Sequence, residues 1–488
     1  MKFHFSSLLL FFSLFFLSSS HRICWPLSTR IYCFEDKPSF ISTAFFTGLN
    51  ETKILPDLYT YFLQLNEGTQ NFDVIFNETT RKFGLLMNKR EAMKKEETIM
   101  KLNINKTLHS DSVKNLKGTK SLGLEKYSNE ARLALIILYN VYNIESSNLM
   151  EFFKSFKFVE ELPFFLWISK DFLNLLEGDY VHREILALRD KMMSDFDKLH
   201  LDIEENWTPE QKAQFLNDRS NIDISDWVFV YSLILRKAWN LNNVLYLVPG
   251  ANFAGFKLSI KSDADYNEIQ TTFGNSHIKT YDNSIYLLAL EEVLFGGMIT
   301  DFYGKPYYFN SLFLYNVKEK NPSECIQLAL VSKDYFDKMT DKKKMVLKSI
   351  GVFSNKICLA TFETSLKGFE VYRKVLKMSD QDAANCVETL MMNPVPDQKS
   401  RISVVLTDCK DTKENSDFKG EEIYAQADEM VKELEKKLEK VGEIEENKGL
   451  EAEMVKFYLE DRKKLAEKVR EFVGKKIGIK KDETKNEL

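Results

Sequence analysis

Histidine is scarce: six in 488 residues, with His4 near the N-terminus and His21, His109, His182, His200 and His277 scattered, none at metal-ligand spacing. A histidine-built zinc site is therefore not indicated. No Cys-x-x-Cys occurs, which removes the zinc-ribbon and thioredoxin-like readings. Gly-x-Ser-x-Gly, His-Glu-x-x-His, the phosphate loop and the dinucleotide fingerprint are also missing, and Gly296-Gly297 lacks what would follow in a phosphate loop. The net charge is only -5. A basic field able to neutralise phosphates is absent, so nucleic acid is not an expected partner. After the first stretch of the chain, no segment approaches the roughly 20 apolar residues of a spanning helix.

What is present begins at the N-terminus. Lys2 supplies a small positive region, Leu8 to Leu17 is almost wholly Leu and Phe, and Ser18, Ser19 and Ser20 follow. This is the pattern of a cleaved signal peptide, with cleavage expected near Ser20–His21. The chain ends in Lys485-Asn486-Glu487-Leu488, a variant of the Lys-Asp-Glu-Leu retention signal with Asn in place of Asp. The preceding Lys480 to Thr484 is charged and is expected to leave that end accessible. Together the two ends predict a soluble protein of the secretory pathway, held in the endoplasmic reticulum lumen.

Six cysteines fit an oxidising compartment. Cys24 and Cys33 are placed for a local bridge. Cys325, Cys358, Cys386 and Cys409 allow three connectivities, among which sequence does not choose. Asn50, Asn77, Asn105 and Asn206 each head a glycan acceptor sequon, the last followed by Pro209.

A chain of this length is expected to form more than one domain. Beyond the leader (1–20), residues 21–125 read as short strands and loops, 126–245 as helical, 246–320 as short strands again, and 321–479 as mainly helical, with a flexible tail at 480–488. In the helical stretch, Leu133, Leu135, Ile136, Leu138 and Tyr139 share one broad face. Asp223 and Asp226 offer N-cap residues for a helix running to Trp239. Near the C-terminus, Ile423, Ala427, Met430, Leu434, Leu438 and Val441 form one apolar stripe, and Leu450, Met454, Phe457, Leu465, Val469 and Phe472 form another. Gly442 and Gly449 bracket the connection. An antiparallel helical hairpin packed on the domain is preferred to an exposed coiled coil. No internal repeat is visible.

The order of elements resembles the SET-domain protein methyltransferases of the rubisco and actin type. The resemblance runs through scattered positions. Phe83-Gly84-Leu85 resembles the end of the Gly-Arg-Gly-Leu turn, followed by Glu97, Ile99, Met100 and Leu102. Phe152, Pro163, Trp167, Phe172, Leu176 and Gly178 fall at the family's positions in the helical insert. Phe229 to Trp239 resembles the helix ending in Ser-Arg-Ala-Phe, with Lys237 at the arginine position. Leu247-Val248-Pro249 opens the strand that normally ends in Asp-x-x-Asn-His. Leu288 to Gly304 resembles the strand pair leading to Tyr-Gly, here Tyr303-Gly304.

The resemblance implies an α+β protein: a small β-rich SET fold interrupted by a long helical insert and followed by a mainly helical C-terminal, substrate-binding-like domain. It implies an S-adenosylmethionine-dependent N-methyltransferase acting on lysine or a similar side-chain nitrogen of a protein. Tyr303 would be the catalytic aromatic. Phe83, Gly84, Leu85, Lys237, Asn252, Gly255 and Phe256 would take the cofactor-binding positions. Several of these depart from the family. Asn252 replaces the Asp, and Gly255-Phe256 replace Asn-His. Lys82 replaces the first glycine of the turn, and Gly297 and Met298 replace glutamates. Each lost polar contact costs about 0.5–1.5 kcal/mol. Three or four would weaken cofactor binding by about two to four orders of magnitude. The alternative expectation is therefore a non-catalytic SET-fold module that binds a protein in the secretory pathway.

Overall fold

The computed structural model describes residues 22–26, 31–35, 51–65, 71–77, 82–116, 126–144, 149–154, 162–217, 219–256, 258–262, 269–273, 275–301, 309–314, 326–329, 331–359, 363–392, 398–410, 420–444 and 449–477. The expected leader and the C-terminal tail lie outside them.

The first element is a hairpin of β1 (Arg22–Pro26) and β2 (Ile31–Glu35), in which Cys24 stands opposite Cys33 and is bridged to it. Two strands alone are marginal in water, so this pair needs the bridge and a surface to rest on. The surface is the helical insert. Trp25 is 1% exposed and donates its indole N–H to the Leu166 carbonyl at 2.7 Å. The Arg189 guanidinium lies 4.7 Å above the same ring and donates to the carbonyls of Phe165, Leu166 and Ile168. Burial pushes the Arg189 pKa down to about 9, with Glu451 opposing, so the group stays charged at neutral pH.

A helix then appears where strands and loops were expected, α1 (Glu51–Leu65), with Pro56 inside it. An interior proline argues against a helix. Here Ile54, Leu58, Phe62 and Leu65, all buried, form a helical stripe whose burial outweighs that penalty. The strands β3 (Phe72–Asn77), β4 (Lys82–Met87), β5 (Thr98–Asn103) and β6 (Leu108–His109) follow.

The insert consists of α2 (Asn129–Tyr142), α3 (Met150–Lys154), α4 (Phe164–Trp167), α5 (Lys170–Leu175), α6 (Tyr180–Asn206), α7 (Pro209–Leu216) and α8 (Ile224–Lys237). Helix α2 is buried nearly all round rather than on one face, with Tyr139 its less buried edge. Asp223 caps α8 by accepting from the Ser225 and Asp226 amides. That helix stops at Lys237, short of Trp239, because Trp239 opens β7 (Trp239–Leu241). Strand β8 (Val244–Leu247) returns through Asn242 and Asn243, both at positive φ, the conformation a two-residue hairpin loop demands.

The second set of strands is β9 (Gly255–Phe256), β10 (Leu258–Ser262), β11 (Ile269–Phe273), β12 (Ser276–Tyr281), β13 (Ser284–Ala289) and β14 (Met298–Asp301). Strands β12, β13 and β5 form one sheet, and β3, β4, β14 and β9 form another. The two ladders hide a structural duplication that the residues do not advertise. Met93 and Val293 exchange backbone hydrogen bonds at 2.9 and 3.0 Å. Each lies in a turn whose tip is left-handed, Glu96 at φ 65 and Gly296 at φ 73.

The C-terminal region pairs β15 (Ile326–Ala329) with β16 (Lys356–Leu359), either side of α9 (Lys333–Lys338) and α10 (Asp341–Ser349). Then come α11 (Glu363–Lys377), α12 (Asp380–Met392) and α13 (Gln398–Thr407). Cys386 and Cys409 are bridged, which selects one of the three connectivities; Cys325 lies outside the described residues. Helices α14 (Gly420–Ile444) and α15 (Gly449–Ile477) form the expected hairpin, packed on the body rather than projecting. Gln426 exchanges hydrogen bonds with the Ala329 backbone, and Glu451 accepts from the Ser169 amide. Arg462 lies 3.6 Å from the Asp179 carboxylate. Phe313 links the parts: it stacks on Phe164 at 5.2 Å and meets Tyr458 edge-on at 5.7 Å.

Candidate cofactor site around Gly84 and Asn252

Strand β14 brings together segments that the helical insert keeps far apart in sequence. It runs antiparallel to β4, with Ile299 opposite Leu85 and Met298 opposite Leu86. Its other edge runs parallel to β9, with Thr300 opposite Gly255 and Asp301 opposite Phe256. Three groups of expected site residues thus meet in one sheet: Phe83-Gly84-Leu85, Gly255-Phe256, and the strand that leads into Tyr303. Tyr303 itself lies outside the described residues, just beyond Asp301. Lys237 is placed elsewhere, half-buried at the end of α8 where β7 begins, in the sheet of β6, β8 and β7.

The two faces of the sheet differ. Leu85, Met87, Phe72 and Ile299 are fully buried on one face. Gly84 lies on the other face, opposite Ile75. A Cβ built on Gly84 would come within 2.9 Å of the Met298 Cε and 3.5 Å of the Ile75 side chain. The space that glycine leaves is therefore filled by the tip of a flexible thioether, itself 43% exposed along its residue.

Phe83 is half-buried. Its ring is 5.1 Å from Phe76 and 5.2 Å from Phe253, and Phe253 in turn meets Phe62 at 5.8 Å and Phe152 at 6.4 Å. Gly250 turns the chain into this cluster at φ 90, with the Met100 sulfur 3.3 Å from where a Cβ would sit. Asn252 follows, 3% exposed, its amide N–H donating to the Val248 carbonyl at 3.1 Å. Its side-chain Oδ1 is buried and has no hydrogen-bond partner among the described residues. A buried acceptor left unmet costs about 1–3 kcal/mol, so it marks a place where a donor belongs. The Tyr61 hydroxyl on α1 is another such atom, and burial raises its pKa well above the usual phenol value.

Sequence reasoning named Asn252 but missed Phe253, Tyr61 and the Met298 tip over Gly84. The signal for Tyr61 was the helical spacing of Ile54, Leu58 and Phe62, which Pro56 obscures. Chain order marks Met298 only as a departure from a glutamate of the resembled family; the β4–β14 register is what puts it over Gly84. Among the described residues, no group of three His, Cys, Asp or Glu could hold a metal ion, and no helix is long and apolar enough to cross a membrane.

The class that this arrangement defines is a SET-domain methyltransferase fold. The chain superposes on rubisco LSMT bound to sinefungin and monomethyllysine with a TM-score of 0.53 and 14% identity, over 88% of this chain and 93% of that one. It superposes on rubisco LSMT bound to AdoMet at 0.50 and 13%, over 87% and 92%. For the SET domain of LSMT bound to lysine and AdoHcy the values are 0.50 and 12%, over 88% and 92%. No protein-family model matches the chain, and no curated protein matches its sequence. At these identities the likeness establishes the fold.

Proposed function

We propose that the chain is a SET-type protein N-methyltransferase of the secretory pathway, resident in the endoplasmic reticulum lumen, acting on lysine or a similar side-chain nitrogen. The observation that carries the reading is the unmet Asn252 oxygen beside the β4–β14–β9 sheet. An acceptor without a donor fits a ligand that brings an N–H, and S-adenosylmethionine carries both an ammonium and an adenine amine. The bound cofactor would supply a methyl group on a positively charged sulfur. Asn252 would accept from a cofactor N–H. Phe83 and Phe253 would form an apolar wall that excludes water. Tyr303 would align the incoming amine, which must be neutral to attack; apolar surroundings favour that by lowering its pKa. The Met298 tip must turn aside from Gly84, which a thioether with three rotatable bonds can do at small cost. The bridges Cys24–Cys33 and Cys386–Cys409 support the lumenal assignment.

Calorimetry with S-adenosylmethionine on the mature protein tests the reading. Micromolar binding, abolished by Gly84→Trp, is expected. An absence of heat at millimolar cofactor overturns it. That result would favour the second reading, a SET-fold module that binds a protein partner without catalysis. The observation favouring this alternative is Met298 filling the space over Gly84, in a site whose Asn-His pair is Gly255-Phe256.

A further inference from the structure

Of the four sequons, two have their asparagine side chain on described residues; both asparagines are exposed, but the residues that complete the two sequons differ. Asn105 is exposed, in the short 3-10 turn Ile104–Lys106 between β5 and β6. Its backbone amide donates to Asn103 Oδ1 at 3.0 Å, while its own side-chain amide makes no hydrogen bond among the described residues. The Thr107 hydroxyl folds back on the Ile104 carbonyl at 2.7 Å, so the turn keeps its shape without using the Asn105 side chain. Asn206 ends the long helix α6, and its side-chain amide donates to Asp202 at 3.3 Å. Trp207, inside that sequon, is 5% exposed and packs edge-on against Phe215 at 5.1 Å. Pro209 follows directly and restricts Thr208 to extended backbone.

A second feature lies beside the Asn105 turn. Ser284 pairs with Tyr281 across the β12–β13 turn and with Asn103 on β5. Directly paired residues share a face. Tyr281 is 69% exposed, so an unburied aromatic ring stands on the sheet end from which the Asn105 turn projects. Aromatic faces of this kind are suited to packing against the apolar face of a sugar.

We propose that Asn105 is an N-glycosylated site of this protein and that Asn206 is not. The inference rests on the lumenal reading above. The reaction is oligosaccharide transfer from a lipid-linked pyrophosphate donor. The Asn105 side-chain nitrogen bonds to the anomeric carbon of the first sugar and loses a proton. The bond from that carbon to the lipid pyrophosphate breaks, and the lipid pyrophosphate leaves. The glycan is added to the chain before folding, when Pro209 already restricts Thr208 of the Asn206 sequon, and the folded Asn105 turn leaves its sugar in solvent beside Tyr281.

The test is expression of the full chain in a eukaryotic secretory host, with intact mass before and after glycan removal by an amidase, alongside sequencing of the N-terminus. The expected result is a start near His21, one glycan mass lost from wild type at the Asn105 peptide, no loss there from Asn105→Gln, and a wild-type loss from Asn206→Gln. Tyr281→Ala should leave occupancy unchanged and speed enzymatic removal from the folded protein. A cleaved chain with unmodified Asn105, or with sugar on Asn206, overturns this proposal alone. A chain that keeps residues 1–20 and carries no sugar overturns the lumenal reading and this proposal together.

Discussion

The helical insert and the sheet around Gly84 differ in how their buried polar side chains are met, although the insert too holds unmet atoms, Glu151 Oε2 and Trp207 Nε1 among them. In the insert, tyrosines and carboxylates find one another. The Tyr142 hydroxyl donates to Asp226 at 2.8 Å, Tyr231 donates to Asp195 at 3.0 Å, and Tyr127 donates to Asp202. Arg189 spends its donors on three backbone carbonyls. At the sheet, Asn252 holds an acceptor that nothing described meets. Buried polar groups are normally satisfied, so the insert looks like a frame and the sheet like a receptor. The comparison has a measurable consequence. Deleting a polar group should destabilise the frame and should not destabilise the receptor.

The largest effect is expected at Arg189. Replacing it by Ala takes a donor from three carbonyls, of which Leu166 keeps the Trp25 indole, and removes the cation above Trp25, in contact with both the disulfide hairpin and the segment that Glu451 holds. A loss of about 3–4 kcal/mol is expected, read as the midpoint of denaturant unfolding. A loss below about 1 kcal/mol would mean that the insert does not depend on this centre.

Next comes Tyr142→Phe. Asp226 is completely buried, and the phenol is its donor at 2.8 Å. Removing the hydroxyl should cost about 1–3 kcal/mol with the fold retained. The carboxylate and burial both raise the Tyr142 pKa well above the free phenol, burial the more. Absorbance titration should therefore find this tyrosine un-ionised in folded protein at pH 11, while exposed tyrosines ionise. A Tyr142 that titrates normally would contradict its burial.

The contrasting prediction is Asn252→Leu. It removes an unmet acceptor from an apolar neighbourhood, so stability in the absence of ligand should hold or rise, by up to about 1–2 kcal/mol. The same variant should lose any response to S-adenosylmethionine in a thermal-shift assay. Destabilisation instead would place Asn252 in the frame and erase the distinction between the two regions.

How far these regions were legible in the chain follows from the same physics. The insert, the C-terminal helical hairpin and the strand-rich flanks announce themselves by apolar period and caps, as at Asp223. Helix α1 was hidden because Pro56 interrupts an otherwise clear stripe at Ile54, Leu58 and Phe62. That Gly84 and Leu85 share a sheet with Gly255 and Phe256 could be expected only through order and spacing, since register between distant strands is not a local property. What fills the site was not legible at all. Met298 over Gly84 and Phe253 against Phe83 depend on which strand lies beside which, and on two faces that one residue of slippage would exchange.

The smallest effect tests a comparison inside the sheet half, between the duplicated turns at Glu96 and Gly296. Both tips are left-handed, at φ 65 and 73. A Cβ on Gly296 would meet nothing within 4 Å, so backbone strain alone decides the outcome there. Gly296→Ala should cost about 1 kcal/mol. At Glu96 the strain is already present, and the carboxylate pairs with Lys279 at 2.8 Å across the neighbouring strand. That pairing holds the Glu96 carboxyl below its ordinary pKa. A carboxyl with a depressed folded pKa contributes stability above its unfolded pKa and loses it as pH falls through the folded value. Glu96→Gly should therefore relieve the backbone at any pH, with its net benefit larger below the carboxylate range, where the lost ion pair no longer counts. A Gly296→Ala variant as stable as wild type would show that the two turns are not the matched pair their dihedral angles indicate.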